Sequence, residues 1–337
     1  MKFNEVAVVG LAHVDAPVVV SSAEFEKQLL PTAERIGIPP GMLEHVAGIQ
    51  ERRWWPEDVM PSDAATMAAE KLLSDTGVDR SRIGIVMNTS VCRDFIEPST
   101  AAIVHSKLRL PGHCLNMDIG NACLAFVNAM DLAGMMIERG QVDYALIVDG
   151  ESSRHVQQQT LNRLRQPDVD MEAFRSEFAT LTLGSGGVAM LLGRATEPDD
   201  HRFLGTVSVA ATEWSHLCQG QVDFMKTDSR TLLAEGVTLA KKTLRLAADA
   251  FDWSPDALDH LVLHQVSAVH TRKLCQTLGL DPDKAYLTFP HFGNIGPASL
   301  PYTLSKMLEA GLIDNGQRLG LMGIGSGLNC AMGEIAW

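Results

Sequence analysis

The chain has 337 residues, 46% hydrophobic and 20% charged, enough for two domains or one large duplicated core. Its formal net charge of −13 argues against nucleic acid as a partner. No basic-then-apolar leader and no apolar run of spanning length occur, so neither a signal peptide nor a membrane helix is expected. An anionic small ligand would need a local basic patch, for which Arg52, Arg53, Arg154, Arg163, Arg165 and Lys226 are candidates, though a solvated surface explains each equally well. Cys92, Cys114, Cys123, Cys218, Cys275 and Cys330 lack zinc-type or disulfide-framework spacing and point to a reducing cytosol.

In chain order, AAEKLLSDTGVDRSRIGIVMNTS reads as an apolar-periodic helix, an aspartate-bearing turn and a β-rich strand. KLRLPGHCLNMDIGNAC then leaves a helix through Leu-x-Leu and proline and forms a short apolar strand over residues 115–119. It reaches Cys123 at the opening of a long amphipathic helix. Unpaired N–H groups and the helix dipole at that position lower a thiol pKa and favour the thiolate; the alternative is a small buried hydrophobe. MIERGQVDYALIVDGE is a helix, a glycine turn and another strand. Residues 152–183 read as two short helices broken at Gln166-Pro167, an insertion suited to a substrate lid or a dimer contact, ahead of the strand GSGGVAMLLG.

The second half repeats this order. LRLAADAFDWSPDALDHLVLHQ matches the first segment, TLGLDPDKAYLTFPHFGNIG the second and EAGLIDNGQRLGLMGIGSG the third. Alternating strands and helices imply parallel pairing with both sheet faces covered. The expected fold is therefore α/β, a five-layered αβαβα sandwich of pseudo-twofold halves, residues 1–195 and 196–337. Active sites in open α/β sheets gather at strand carboxyl ends. Equivalent strands end near Thr89 and His264, and equivalent corners hold Cys123 and Asn294. A pseudo-twofold thus brings Cys123, His264 and Asn294 together.

Such a trio suits either of two chemistries. In a protease-type reading His264 takes the cysteine proton. In an acyl-transfer reading the helix terminus forms the thiolate, and His264 and Asn294 stabilise an enolate. Taken singly, His264 fits a core histidine and Asn294 a turn residue. In GIGSGLNCAMGEIAW, Gly323, Gly325 and Gly327 let backbone approach a ligand, so the Ser326 and Cys123 N–H groups suit an oxyanion hole; a glycine bulge is the plainer alternative.

NACLAF, LGSGGVAMLL, LVLHQ, HFGNIGPASLP and the glycine-rich terminal strand turn together resemble the thiolase superfamily, and within it the ketoacyl synthase III group. The resemblance spans nearly the whole chain. It implies a duplicated thiolase fold, acylation of Cys123 from a thioester, then carbon–carbon bond formation with His264 and Asn294 as the second-half catalytic pair. It also implies a homodimer whose first-half strands pair across the interface.

One departure alters the expected reaction. DFIEPSTAA carries Glu97 where the synthase III group has an apolar aromatic, on a loop that in the family reaches the neighbouring subunit's site. Desolvation there would raise its pKa and suit it to act as a general base. Decarboxylating synthases need no such base, whereas condensing two unactivated thioesters does. The pattern thus resembles the OleA-type acyl-CoA Claisen condensing enzymes of long-chain olefin biosynthesis, which join two long-chain acyl-CoAs and release a β-keto acid. Glu97 would deprotonate Cα or position water. Coenzyme A would serve only as substrate carrier, with no other cofactor and no metal, and downstream olefin-pathway enzymes would be possible partners. Met117, Met130, Met135 and Met136 would line acyl tunnels or belong to ordinary core. The alternatives are a decarboxylating 3-oxoacyl-acyl carrier protein synthase III and a catalytically inert thiolase-fold subunit.

Overall fold

A computed structural model describes residues 1–254 and 256–337; Pro255, in the second-half turn read above, lies outside the described residues. Nine strands form the main sheet: β1 Val6–Asp15, β2 Ile83–Asn88, β3 Leu115–Asp118, β4 Tyr144–Glu151, β5 Gly186–Arg194, β6 Arg202–Ala210, β7 His260–Leu263, β8 Arg318–Gly325 and β9 Asn329–Ala336. The larger helices are α1 Ser22–Ile36, α2 Pro61–Thr76, α3 Thr100–Lys107, α4 Ala125–Glu138, α5 Arg154–Leu164, α6 Met171–Glu177, α7 Ser229–Phe251, α8 Ala268–Leu278 and α9 Ser299–Glu309.

Local chemistry sets their ends. Proline opens α2, the Asp63 carboxylate accepts the Met60 N–H at 3.0 Å, and left-handed Gly77 closes the helix. At α1, Ser21 and Glu24 form a reciprocal capping box and Gly37 supplies the left-handed C-cap.

The strand order β7-β8-β9-β6-β1-β5-β4-β2-β3 is two sheets of matching topology. They join along β1 and β6, where Ala7 pairs with Arg202 and Phe3 and Val8 donate to Leu204 O and His201 O. In the first, β2 pairs parallel with β3 and β4, and β5 pairs antiparallel with β4 and β1. In the second, β7 and β8 are parallel, while β8–β9 and β9–β6 are antiparallel. Pairing is therefore mixed rather than all parallel as expected. The β8–β9 connection is a tight turn, which permits only antiparallel pairing. The insertion of residues 152–183 occupies the equivalent β4–β5 connection. It folds as α5, α6 and a 3-10 segment Phe178–Thr182, broken around Pro167 as its sequence implies.

Helix α2 covers the outer face of the first sheet and α7 that of the second, while α4 and α9 pack between the sheets. These are the five layers. Helix α4 buries Phe126, Val127, Met130, Ala133 and Ile137 among residues of both halves, so it is buried nearly all round rather than amphipathic. Two other expectations change. Strand β3 is an exposed edge with Leu115 50% and Met117 40% accessible. Its second-half counterpart shrinks to one bridge, Leu261 to Ala285, beside the 3-10 turn Pro282–Lys284.

Candidate active site

Cys123 lies in a 3-10 turn, Ala122–Leu124, that feeds directly into α4. Ala122 immediately before it is left-handed at φ 45°, a strained conformation for a residue with a Cβ. An amide chain fastens this turn to the C-terminal hairpin. Asn329 Nδ2 donates to Asn121 Oδ1 at 3.2 Å, and Asn121 Nδ2 donates to Asn128 Oδ1 at 2.7 Å.

Strand β8 is the bridge between the two halves of the site. A Cβ on Gly325 would lie 3.2 Å from the Cys123 nitrogen and 3.4 Å from that of Leu124. A Cβ on Gly323 would strike the Leu124 side chain at 2.4 Å. The bare backbone of β8 therefore rests on the nucleophile's turn, with Ser326 next in chain at the start of the hairpin turn. Gly327 in that turn is left-handed at φ 125°.

On the same strand, Met322, Gly323 and Ile324 also line the wall around His264. His264 follows β7 and extends the parallel ladder, its N–H donating to Met322 O at 2.8 Å. It is 3% exposed, and its Nδ1 has no hydrogen-bond partner among the described residues. Burial, reinforced by neighbouring His270, lowers its pKa to about 3, so it is a neutral imidazole.

Asn294 is held by the end of the insertion. Its N–H donates to Thr182 O at 2.9 Å, and its carbonyl accepts Gly184 N–H at 2.8 Å. Its Oδ1 accepts the Gly296 N–H at 3.0 Å, and among the described residues its Nδ2 has no partner. The Gly296–Ala298 turn that follows packs on the Cys123 turn. One buried cluster thus gathers the Cys123, His264 and Asn294 segments.

The expected thiolate is absent. Burial first, then nearby Cys218 and Glu151, pushes the Cys123 thiol up to about 12. Removing the sulfur from water outweighs the helix terminus. Two acids missed in the sequence stand behind this: Asp149 and Glu151 at the end of β4, both buried and both raised by desolvation. Thr89 Oγ1 donates to Asp149 at 2.5 Å. Acids alternating at the end of an otherwise apolar strand were the available signal.

Glu97 lies outside this cluster. It sits on the exposed loop between β2 and α3, beside Phe95 and Ile96, which are 57% and 93% accessible. Among the described residues it makes no hydrogen bond or ion pair.

Most of the suggested basic patch is otherwise engaged. Arg52 is fully buried, donating to Val20 O, Ser22 Oγ and Leu181 O over the Phe25 ring. Arg53 pairs with Glu51 and Arg163 with Glu177, while Arg154 pairs with Glu57 and lies over Trp54. Arg165 bonds Gln28, and Lys226 is exposed. Of the four methionines, Met130 is core. Met117, Met135 and Met136 line a cavity of about 290 Å³ with Ile85, Met87 and Leu132, at the open edge of the first sheet.

Residues 117–211 match the 3-oxoacyl-[acyl-carrier-protein (ACP)] synthase III family, and residues 248–337 match the family of its C-terminal part. An acyl-CoA:acyl-CoA alkyltransferase of Xanthomonas campestris pv. campestris is 49% identical over 338 residues, covering all of both chains. The chain belongs to the acyl-CoA:acyl-CoA alkyltransferase family. A second alkyltransferase, from Shewanella oneidensis, is 37% identical over 351 residues, again covering all of both chains. The crystal structure of a cysteine-to-serine variant of Xanthomonas campestris OleA with bound lauric acid and lauroyl-CoA is similar at a TM-score of 0.97 and 49% identity, over 99% of this chain and 100% of that one. The fold is the duplicated thiolase fold of those structures, and the chain is a condensing acyltransferase.

Proposed function

We propose that the protein joins two long-chain acyl-CoAs in a non-decarboxylative Claisen condensation and releases a β-keto acid for long-chain olefin biosynthesis. The observation that carries this reading is the seating of β8 on the Cys123 turn while the same strand walls His264. The alkyltransferase relatives, and the lauroyl-CoA bound to one of them, support acyl-CoA as the substrate.

Cys123 sulfur attacks the first thioester carbonyl, whose oxygen is held by the Cys123 and Ser326 N–H groups. The thiol proton leaves with coenzyme A, giving an acyl-cysteine and free CoA-SH. Glu97 of the partner subunit removes a Cα proton from the second acyl-CoA. Neutral His264 and the Asn294 amide stabilise the enolate as hydrogen-bond donors. The carbanion attacks the acyl-cysteine carbonyl and expels Cys123, which regains a proton. Water then cleaves the remaining thioester, giving β-keto acid and a second CoA-SH. No cofactor beyond the coenzyme A carrying the substrates is needed.

The dimer this requires is supported by the unpaired edge of β3. Leu115, Met117 and Leu132 form an accessible apolar strip there, a liability for an isolated sheet that a second copy would cover. The six cysteines, all free thiols, support a reducing cytoplasmic setting.

The test supplies one long-chain acyl-CoA to purified protein without a malonyl donor. Free CoA with the doubled β-keto acid, or the ketone left after it loses carbon dioxide, is expected. No product there, with activity restored by malonyl-acyl carrier protein, would instead make this a decarboxylating synthase, the reaction named by the family matched at residues 117–211.

A further inference from the structure

The loop that carries Glu97 is held at three places, each by a carboxylate. Asp94 accepts from Ser62 N–H and Oγ at 2.9 and 2.5 Å. At the far end Asp118 accepts the Thr100 and Ala101 N–H groups at 3.0 and 2.8 Å, capping α3. At the near end the support comes from the interior. Glu151, 5% exposed, accepts the Val91 N–H at 2.6 Å on one oxygen and the Cys92 N–H at 3.3 Å on the other. Cys92 Sγ also donates to Ser152 O at 3.2 Å, and Trp55 Nε1 holds the Glu151 carbonyl at 3.0 Å. Phe95, Ile96 and Glu97 project beyond these supports.

Glu151 also lies against the turn that follows Asn294. A Cβ on Gly296, in the turn packed on Cys123, would lie 3.4 Å from Glu151 Oε1. One carboxylate therefore touches both the floor of its own site and the root of the loop that leaves it. A buried acid beside Asp149 is an expensive way to fill that space, since each charge opposes the other. Burial raises its pKa to about 7, and once ionised it offers two acceptors and no donor. Glutamine would turn an N–H donor toward a backbone N–H and leave one donor of the pair unsatisfied.

We propose that Glu151 is a positioning residue that sets where Glu97 stands in the neighbouring subunit's site. The inference rests on the reading of Glu97 as that site's base. Because placement errors of about 1 Å cost about 100-fold in rate, a released loop root slows the step that uses Glu97 and spares the step that does not.

Three variants test this: Glu151→Gln, Glu151→Asp and the double variant with Glu97→Gln. Two readouts are followed with a long-chain acyl-CoA, acylation of Cys123 by mass shift and formation of condensed product. For Glu151→Gln condensation should fall about 10- to 100-fold while acylation changes less than about threefold. Glu151→Asp, which keeps the charge one methylene shorter, should recover part of the loss. The double variant should condense no more slowly than Glu97→Gln alone, because Glu151 acts through Glu97. Equal slowing of acylation and condensation, or a full further loss in the double variant, would overturn the proposal while leaving Glu97 as the base. Normal condensation by Glu97→Gln alone would instead remove the Glu97 reading, and this inference with it.

Discussion

Two opposing effects meet on the Cys123 thiol, and burial wins. The turn before α4 offers the positive end of a helix, yet enclosure of the sulfur near Glu151 keeps the resting group protonated. The thiol must therefore lose its proton as it attacks, not before. His264 is the mirror case, a base kept neutral by burial. In the unfolded chain it takes a proton near 6.5, whereas the folded chain refuses one until about 3. The unfolded state binds more protons across that window, so His264's contribution to stability is complete above it and is lost as pH falls through it. Replacing His264 by Gln should flatten the acid side of the stability-versus-pH curve by about one proton, or ~1.4 kcal/mol per pH unit. Chemical denaturation at a series of pH values reads this directly; an unchanged acid limb would mean that the imidazole is not held neutral. Strand ends and repeat order suggested that the Cys123, His264 and Asn294 segments lie near one another, and β8 and the Gly296–Ala298 turn do link those segments. The roles of Glu151 and the Asn121–Asn128–Asn329 chain were not legible there, because their partners lie in distant segments; for Glu151 the alternating acids at the end of an apolar strand were the only local sign.

At the scale of elements, the segment between β4 and β5 is where the halves differ most. The second half closes the equivalent connection with a tight turn against Cys123; the first half inserts α5 and α6 and returns through residues 180–184. Gln157 on α5 ties that return down, donating to Thr180 O at 3.1 Å and Leu183 O at 2.9 Å. The sequence suggested a lid or a dimer contact for this insertion; its visible action is to hold the Asn294 loop. Gly184 is the point of closest approach, where a Cβ would sit 1.7 Å from Phe292 O. Backbone cannot yield there without moving residues 292–294. Gly184→Ala should therefore lower the condensation rate at least about tenfold, with a smaller effect on Cys123 acylation. Equal rates in variant and parent would show that the Asn294 loop need not be held. Strand β3 was foreseen, the exposure of Leu115 and Met117 was not, because an edge strand reads in sequence like any apolar strand. The missing second-half strand failed for a related reason: KAYLTF has strand composition, but only Ala285 finds a pairing partner.

For the whole molecule, buried His264, half-buried Cys123 and Asn294, and exposed Glu97 would, on the proposed mechanism, make one chain an incomplete site. The Cys123, His264 and Asn294 segments all meet strand β8 or the turns packed on it, while the loop after β2 holds the Glu97 carboxylate exposed. On the proposed mechanism each active site draws on two chains. The direct test mixes two variants, Cys123→Ala and Glu97→Gln, under conditions that exchange subunits, and measures condensation of a single long-chain acyl-CoA without malonyl donor. Cys123→Ala alone should be inactive, and Glu97→Gln alone should keep only a small residual rate. Random mixing makes about half the dimers mixed, each with one complete site, so activity should return to about one quarter of the parent level. Mixed dimers that form but remain inactive would contradict the account, because Glu97 would then have to serve the Cys123 of its own chain.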